Sequence, residues 1–394
     1  MNTREVFVLS AVRTPIGTFG GGLKEVPLSK LATTVVRSAV ERSGAQASDI
    51  GQVVMGNVIP TEPRDAYLSR VAAIEAGIPQ ETPAMNVNRL CGSGLQAVIS
   101  AAQSLLLGDA EFAVAGGAES MSRGPYLMPE ARWGARMGDV QAVDYTLGVL
   151  SDPFHRIHMG MTAENVARQE GVTREEQDRL AVDSHRRAAR AIAERRFSSQ
   201  LVPVEVVSRK GTTLFETDEH VRADTSIEQL AKMKPAFQKD GSVTAGNASG
   251  INDGAGALVL ASADAVRARG LKPLARLVSY AHAGVDPRVM GLGPVPASRL
   301  ALQRAGLNAS RMDVIESNEA FAAQACAVTR LLELDPGKVN PNGSGISLGH
   351  PVGATGAIIA TKAIHELQRI GGRYALVTMC IGGGQGIAAV FERV

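Results

Sequence analysis

The 394-residue chain holds only three cysteines, Cys91, Cys326 and Cys380. An odd number without C-x-x-C spacing excludes a disulfide scaffold and a cysteine zinc site, and suits a reducing compartment. Aromatic residues are 4% of the chain and tryptophan occurs once, at Trp133, so the cores must be built from Ala, Val, Ile and Leu. Charge of one sign is also missing: the net charge is +2 with acids and bases interspersed, which leaves no basic stripe for nucleic acid. No run is expected to reach the roughly 18 apolar residues of a membrane helix. The amino terminus, with Arg4 and Glu5 ahead of a strand-like EVFVLSAV, lacks the apolar stretch of a signal peptide, and the terminal FERV is no peroxisomal address. These absences predict a cytoplasmic protein with neither nucleic acid nor membrane as partner.

What is present is small-residue α/β texture, and it occurs twice. With 45% apolar residues the chain can bury two or three domain-sized cores. The segment ERSGAQASDIGQVVMGN (41–57) matches QRAGLNASRMDVIESNE (303–319): a helix end, a glycine stop at Gly44 or Gly306, then a strand. GSGLQAVISAAQSLLLGDAEFAVAGGAE (92–119) likewise matches GATGAIIATKAIHELQRIGGRYALVTMCIGGG (353–384). Two copies of one α/β unit follow. Their strands, FAVAGG and YALVTMC, are continuous apolar runs, as expected when helices cover both sheet faces. Between the copies the texture changes to Met, Arg and amphipathic helices, one opened by the capping box Thr173 and Glu176. The predicted organisation is 1–120 plus 250–270 as one half, an inserted domain over 121–249, and 271–394 as the second half.

The stretch NRLCGSGLQAV (88–98) joins an extended run to a helix, and it supports two readings. Gly92, Gly94 and Ala97 spell G-x-G-x-x-A, a tolerated dinucleotide fingerprint, with Glu119 roughly where the ribose-binding acid would stand. An NAD-dependent oxidoreductase is therefore the rival class. The same pattern at Gly384, Gly386 and Ala389 leads into a strand, which shows how little it specifies here. The other reading takes Cys91 as a nucleophile: unsatisfied N–H groups and the helix dipole are expected to pull its pKa from about 8.5 towards neutrality.

Three further corners pair reactive side chains with glycine: SNEAFA (317–322), GHPVGATG (349–356) and CIGGGQG (380–386). A histidine held between glycine and proline suits an activating base. In this order, NRLCGSGLQAV, NEAFAAQ, GHPVGATG and CIGGGQG resemble the signature blocks of the thiolase family, and GNASGINDGAGAL (246–258) extends the likeness along the chain. The branch it resembles is that of bacterial acetyl-CoA acetyltransferases and β-ketothiolases. The resemblance implies an α/β fold, a five-layer αβαβα core of two similar five-strand mixed-sheet halves with an inserted loop domain that binds coenzyme A.

It also implies roles. Cys91 would be the acylated nucleophile, His350 its activator and later a ligand of the thioester oxygen, and Cys380 the group that moves the proton at the reacting carbon. Asn318 would fix a water in one oxyanion hole, and the N–H groups of Cys91 and Gly382 would form the other. His158, Met159, Arg222, Ala245, Gly246, Ser249, Ala320 and Phe321 resemble coenzyme A contacts, and Met290 and Met159 are flexible enough to adapt to longer acyl chains. Coenzyme A and acyl-CoA are substrates, and no metal or redox cofactor is expected. Trp133 and Met137 in ARWGARMGD (131–139) resemble a tetramerisation loop, which predicts a homotetramer made of two dimers. Ser317 stands where many relatives have alanine, with little effect expected.

The remaining candidates take plainer readings. Cys326 lies in an apolar helix and reads as a buried small hydrophobe. His155 and His158 form H-x-x-H without a nearby third ligand, so surface or substrate contact outweighs metal. The arginines from Arg186 to Arg196 read as a solvated helix face.

Overall fold

The computed structural model describes residues 4–209 and 211–394. In chain order the main elements are β1 (Val6–Arg13), α1 (Leu28–Ser43), β2 (Gln52–Gly56), α2 (Leu68–Glu75), β3 (Ala84–Val87), α3 (Ser93–Leu107) and β4 (Phe112–Ser120). The intervening segment carries α4 (Met159–Glu170), α5 (Arg174–Ala193) and a hairpin of Val204–Ser208 with Gly211–Phe215. Then come β5 (Asn252–Ser262), β6 (Ala275–Gly284), α6 (Pro294–Ala305), β7 (Val314–Ser317), α7 (Ala322–Leu331), α8 (Val352–Ile370), β8 (Tyr374–Ile381) and β9 (Gln385–Arg393).

The strands run in the order β7-β8-β9-β6-β1-β5-β4-β2-β3. β2 pairs in parallel with β3 and β4, β7 pairs in parallel with β8, and the other pairs are antiparallel. The fold is therefore α/β with mixed sheet halves. The first half has five strands in this order, and the short strand Gly17–Thr18 pairs onto Asn252–Asp253 of β5. The second has four, and where a fifth would lie there is a single parallel bridge from Val339 to Ile315. The halves are not separate sheets: Val6–Val8 of β1 pair with Ala275–Leu277 of β6, so one hydrogen-bonded edge joins them.

α3 and α8 form the middle layer. Leu95 and Val98 of α3, with Ile359 and Ala363 of α8, share one core with Leu258 of the first half and Val377 and Phe391 of the second. α1 and α2 cover the outer face of the first half, and α6 covers that of the second. This layering explains the apolarity of α3. Leu90–Leu107 is, contrary to the expectation from sequence, long and apolar enough to cross a membrane by length and composition, yet it packs between two sheet halves.

The repeat is visible in matching caps. α1 and α6 both end on glycines in the left-handed region, Gly44 (φ 77°) and Gly306 (φ 66°), where a side chain would be strained. The middle helices cross through small residues: a Cβ on Gly94 would sit 2.7 Å from the Ala357 amide, and one on Gly356 would sit 2.2 Å from that of Leu95. The capping box on α5 forms as its sequence predicts, with the Thr173 hydroxyl accepting from the Glu176 N–H. A buried bidentate pair, Arg13 to Asp218 at 2.7 and 2.9 Å, ties the intervening segment to the end of β1. Arg13 also donates to Gln200 and lies over the Phe197 ring.

Candidate active site

Cys91 sits in the turn between β3 and α3. The turn is over-determined: the Leu90 N–H donates to Asn88 Oδ1, the Arg89 N–H to Ser93 Oγ, and that hydroxyl back to the Leu90 carbonyl. These bonds hold Leu90 at φ 46°, a conformation that costs a non-glycine residue about 1–3 kcal/mol. Gly92 is required by close approach, because a Cβ there would meet Ile381 Cδ1 at 2.6 Å. The cysteine turn thus lies directly against the end of β8.

That end supplies the second thiol. Cys380 is buried on the last turn of the strand, and Gly383 and Gly384, at φ 81° and 84°, turn the chain into β9. The N–H groups of Gly382 and of Cys91 itself both stabilise a Cys91 thiolate, but burial opposes them more strongly and the nearby Glu119 charge adds to it. The thiol is therefore held above its ordinary pKa. This corrects the expectation of a thiolate lowered by the helix terminus: desolvation outweighs the two N–H groups. Burial likewise pushes Cys380 far up, and the neighbouring Cys91 pushes it further.

His350 follows Gly349 on the loop entering α8. Its backbone N–H donates to Asn252 Oδ1 at 2.9 Å, Nδ1 lies 2.7 Å from Thr355 Oγ1, and Nε2 lies 3.5 Å from Asn318 Nδ2. Burial pushes its pKa down to about 4, so the ring is neutral. Asn318 is fixed by its N–H on the Thr378 carbonyl, while its Oδ1 is buried without a protein partner among the described residues. The site thus offers a neutral imidazole, a carboxamide with unused capacity, two thiols and converging backbone N–H groups.

The intervening segment closes the corner. His158 caps α4, its Nδ1 accepting from the Gly160 N–H at 3.0 Å, so a neutral ring keeps its Nε2 proton for an outside acceptor. It stacks on Phe237 at 4.8 Å, and Phe237 meets Phe321 edge-on. Met159, Met290, Ala320 and Phe321 pack in one cluster with Cys380. Arg222, Ala245 and Gly246 line an adjoining cavity of 350 Å³ with His185. Ser249 donates its N–H to the Ala320 carbonyl, tying the TAGNASG loop to the NEAF loop. Phe237, Asn252, His185, which accepts the Arg222 N–H, and Thr355 were not marked out by sequence. Thr355 lay inside GHPVGATG, where its spacing from His350 was a usable signal, and Asn252 lay inside GNASGINDGAGAL, where nothing singled it out.

The dinucleotide reading fails on geometry. Glu119 is wholly buried, and its carboxylate accepts from the N–H groups of Val58, Ile59 and Gly353 and from Asn57 Nδ2. Burial raises its pKa to about 8 against these donors, and no oxygen is left for a ribose. Gly94 serves helix packing instead of a phosphate. Of the H-x-x-H pair, His155 Nδ1 is engaged by Asp152 and His158 Nδ1 by its helix.

Fold and site together define an acyltransferase with two thiols and a neutral imidazole at the meeting point of two α/β halves. The chain belongs to the thiolase family: the family model for the thiolase N-terminal domain matches residues 6–264 and that for the C-terminal domain residues 271–393. It is 64% identical to Beta-ketothiolase BktB of Cupriavidus necator over the full length of both chains. It is 49% identical to an acetyl-CoA acetyltransferase of Pseudomonas aeruginosa, covering 99% of this chain and 100% of that one. The structure of human mitochondrial 3-ketoacyl-CoA thiolase in complex with CoA superposes with a TM-score of 0.96 at 44% identity, covering 100% of this chain and 98% of the other.

Proposed function

We propose that the chain carries out acyl transfer in two steps through an acyl-Cys91 intermediate. The protein is an acyltransferase of the thiolase kind, catalysing reversible Claisen condensation of two acyl-CoA molecules and the reverse thiolysis. In the first step the Cys91 sulfur attacks a thioester carbonyl as its proton passes to His350 Nε2. The carbon–sulfur bond to coenzyme A breaks, and the leaving sulfur takes the proton. In the second, Cys380 gives its proton to the neutral His350 and, as a thiolate, removes a methyl proton from acetyl-CoA; the carbanion attacks the Cys91 thioester and expels the sulfur, which takes up the proton held by His350. Nothing is oxidised or reduced, so the chemistry calls for no NAD.

The observation that carries this reading is the packing of the Cys91 turn on the end of the Cys380 strand, with Gly92 against Ile381 and Gly382 beside Leu90, where the Gly382 and Cys91 N–H groups favour a Cys91 thiolate. These two N–H groups would hold the tetrahedral oxygen; Asn318, through a water, and His350 once its Nε2 is protonated would hold the enolate oxygen. Coenzyme A would lie along His158, Met159, Phe237 and Phe321 towards Arg222, Ala245, Gly246 and Ser249, with Met290 beside the acyl group. Acetyl-CoA and short acyl-CoA are the substrates this reading assigns. Its test is direct: on mixing the protein with acetoacetyl-CoA and coenzyme A, the enolate absorbance falls without added NAD. An absorbance that stays constant until NAD is supplied would overturn it.

The assembly proposed is a homotetramer. Trp133 is 84% and Met137 97% exposed, with Tyr126, Leu127 and Met128 exposed close by, a patch that favours contact with another copy. A cytoplasmic location is supported by three free cysteines, two of them reserved for chemistry that needs reduced thiols.

A further inference from the structure

We propose that Thr355 is a positioning residue for His350: its hydroxyl oxygen accepts the Nδ1 proton and holds the imidazole in the one tautomer that leaves the Nε2 lone pair free for the thiol. A hydroxyl has a single proton. That of Thr355 is directed to the Pro351 carbonyl at 2.9 Å, the partner four residues back that helical threonines commonly use. The oxygen therefore meets Nδ1, 2.7 Å away, as an acceptor. On the far side of the ring Asn318 Nδ2, which can only donate, faces Nε2 at 3.5 Å. Both contacts place the proton on Nδ1.

The surroundings leave the ring little alternative. His350 is 5% and Thr355 1% exposed, so bulk water does not compete for either nitrogen. Asn252 fixes the His350 backbone, and the Thr355 bond limits the remaining side-chain rotation. Burial keeps the ring neutral, which is the state in which tautomer choice matters. When Nε2 takes up the thiol proton, Nδ1 still carries its own, so the Thr355 contact is satisfied before and after transfer. No reorganisation is then needed on the Nδ1 side of the ring at the moment of reaction.

This inference rests on His350 being the base for Cys91, and the test separates the two. In full-length enzyme labelled with ¹⁵N-histidine, long-range proton–nitrogen correlation identifies which ring nitrogen is protonated, with His350 assigned by its loss in His350→Asn. The wild type and Thr355→Ser should show the proton on Nδ1; Thr355→Val and Thr355→Ala should not hold it there. Acetylation of Cys91, followed by intact mass under single-turnover conditions, should be near normal in Thr355→Ser. In Thr355→Val it should slow by roughly 10- to 100-fold, by analogy with the loss of partners that orient metal-bound histidines. KM for coenzyme A should not change, since Thr355 lies away from the coenzyme cleft. A wild-type His350 protonated on Nε2, or full-speed acetylation of Thr355→Val, would overturn the inference, and the wild-type spectrum decides even if the valine and alanine variants fail to fold. Undiminished acetylation in His350→Asn would instead overturn the reading of His350 as base.

Discussion

Cys91, Cys380 and His350 are all held in their neutral forms, and in each case burial is the largest cause. The resting site is therefore uncharged at its centre, and the thiolate must be made by proton transfer as the thioester binds. One consequence is visible in the pH dependence. His350 accepts a proton only while neutral, and its pKa lies at about 4 instead of the ordinary 6.5, so the base is lost only as pH falls towards 4. The single-turnover rate of Cys91 acetylation should hold from pH 7 down to about 5; a halving near 6.5 would show an ordinary, solvated histidine. A second prediction concerns Ser317, whose hydroxyl is buried without a partner among the described residues. An unpaired buried hydroxyl costs about 1–3 kcal/mol, so Ser317→Ala should raise the melting temperature and leave turnover unchanged. A lower melting temperature would mean that the hydroxyl is satisfied in solution. The reactive residues were legible because their types and glycine neighbours advertise the chemistry. The direction of the Cys91 shift was not, because it is set by burial in the folded site and by the Glu119 charge, which approaches from another part of the chain.

Among the elements, α3 and α8 were readable from their apolar runs and glycine stops, and β4 and β8 from uninterrupted burial on both faces. The β1–β6 seam was not, since three residue pairs leave no pattern in either strand. Phe237 escaped notice for a similar reason: it lies outside any regular element, and only the fold brings it against His158. The Arg13–Asp218 pair also depends on contact across 205 positions, yet it anchors the segment that leads to Arg222. Removing one partner of a fully buried pair strands the other charge, at a cost of about 3–5 kcal/mol. Asp218→Ala should lose that much in urea unfolding and should raise KM for coenzyme A more than it lowers kcat. A loss below about 1 kcal/mol would show that Gln200 and Phe197 suffice to satisfy Arg13.

For the whole molecule, the apolar patch around Trp133 and Met137 gives the proposed tetramer a physical test. Light scattering at micromolar concentration should report the mass of four chains, and Trp133→Glu with Met137→Glu should reduce it to that of two; a monomer in the unmodified protein would refute the assembly. The central claim is that the two thiols divide the chemistry, with Cys91 carrying the acyl group and Cys380 serving only the carbon acid. The measurement that tests it most directly is intact-mass and peptide analysis of Cys380→Ala after incubation with acetyl-CoA in deuterated water. The account predicts one acetyl group per chain, on the peptide containing Cys91, with no acetoacetyl-CoA formed and no deuterium in the acetyl-CoA methyl group. Condensation and methyl exchange at wild-type rates in that variant, or an acetyl group that still forms when Cys91 is replaced by alanine, would contradict it.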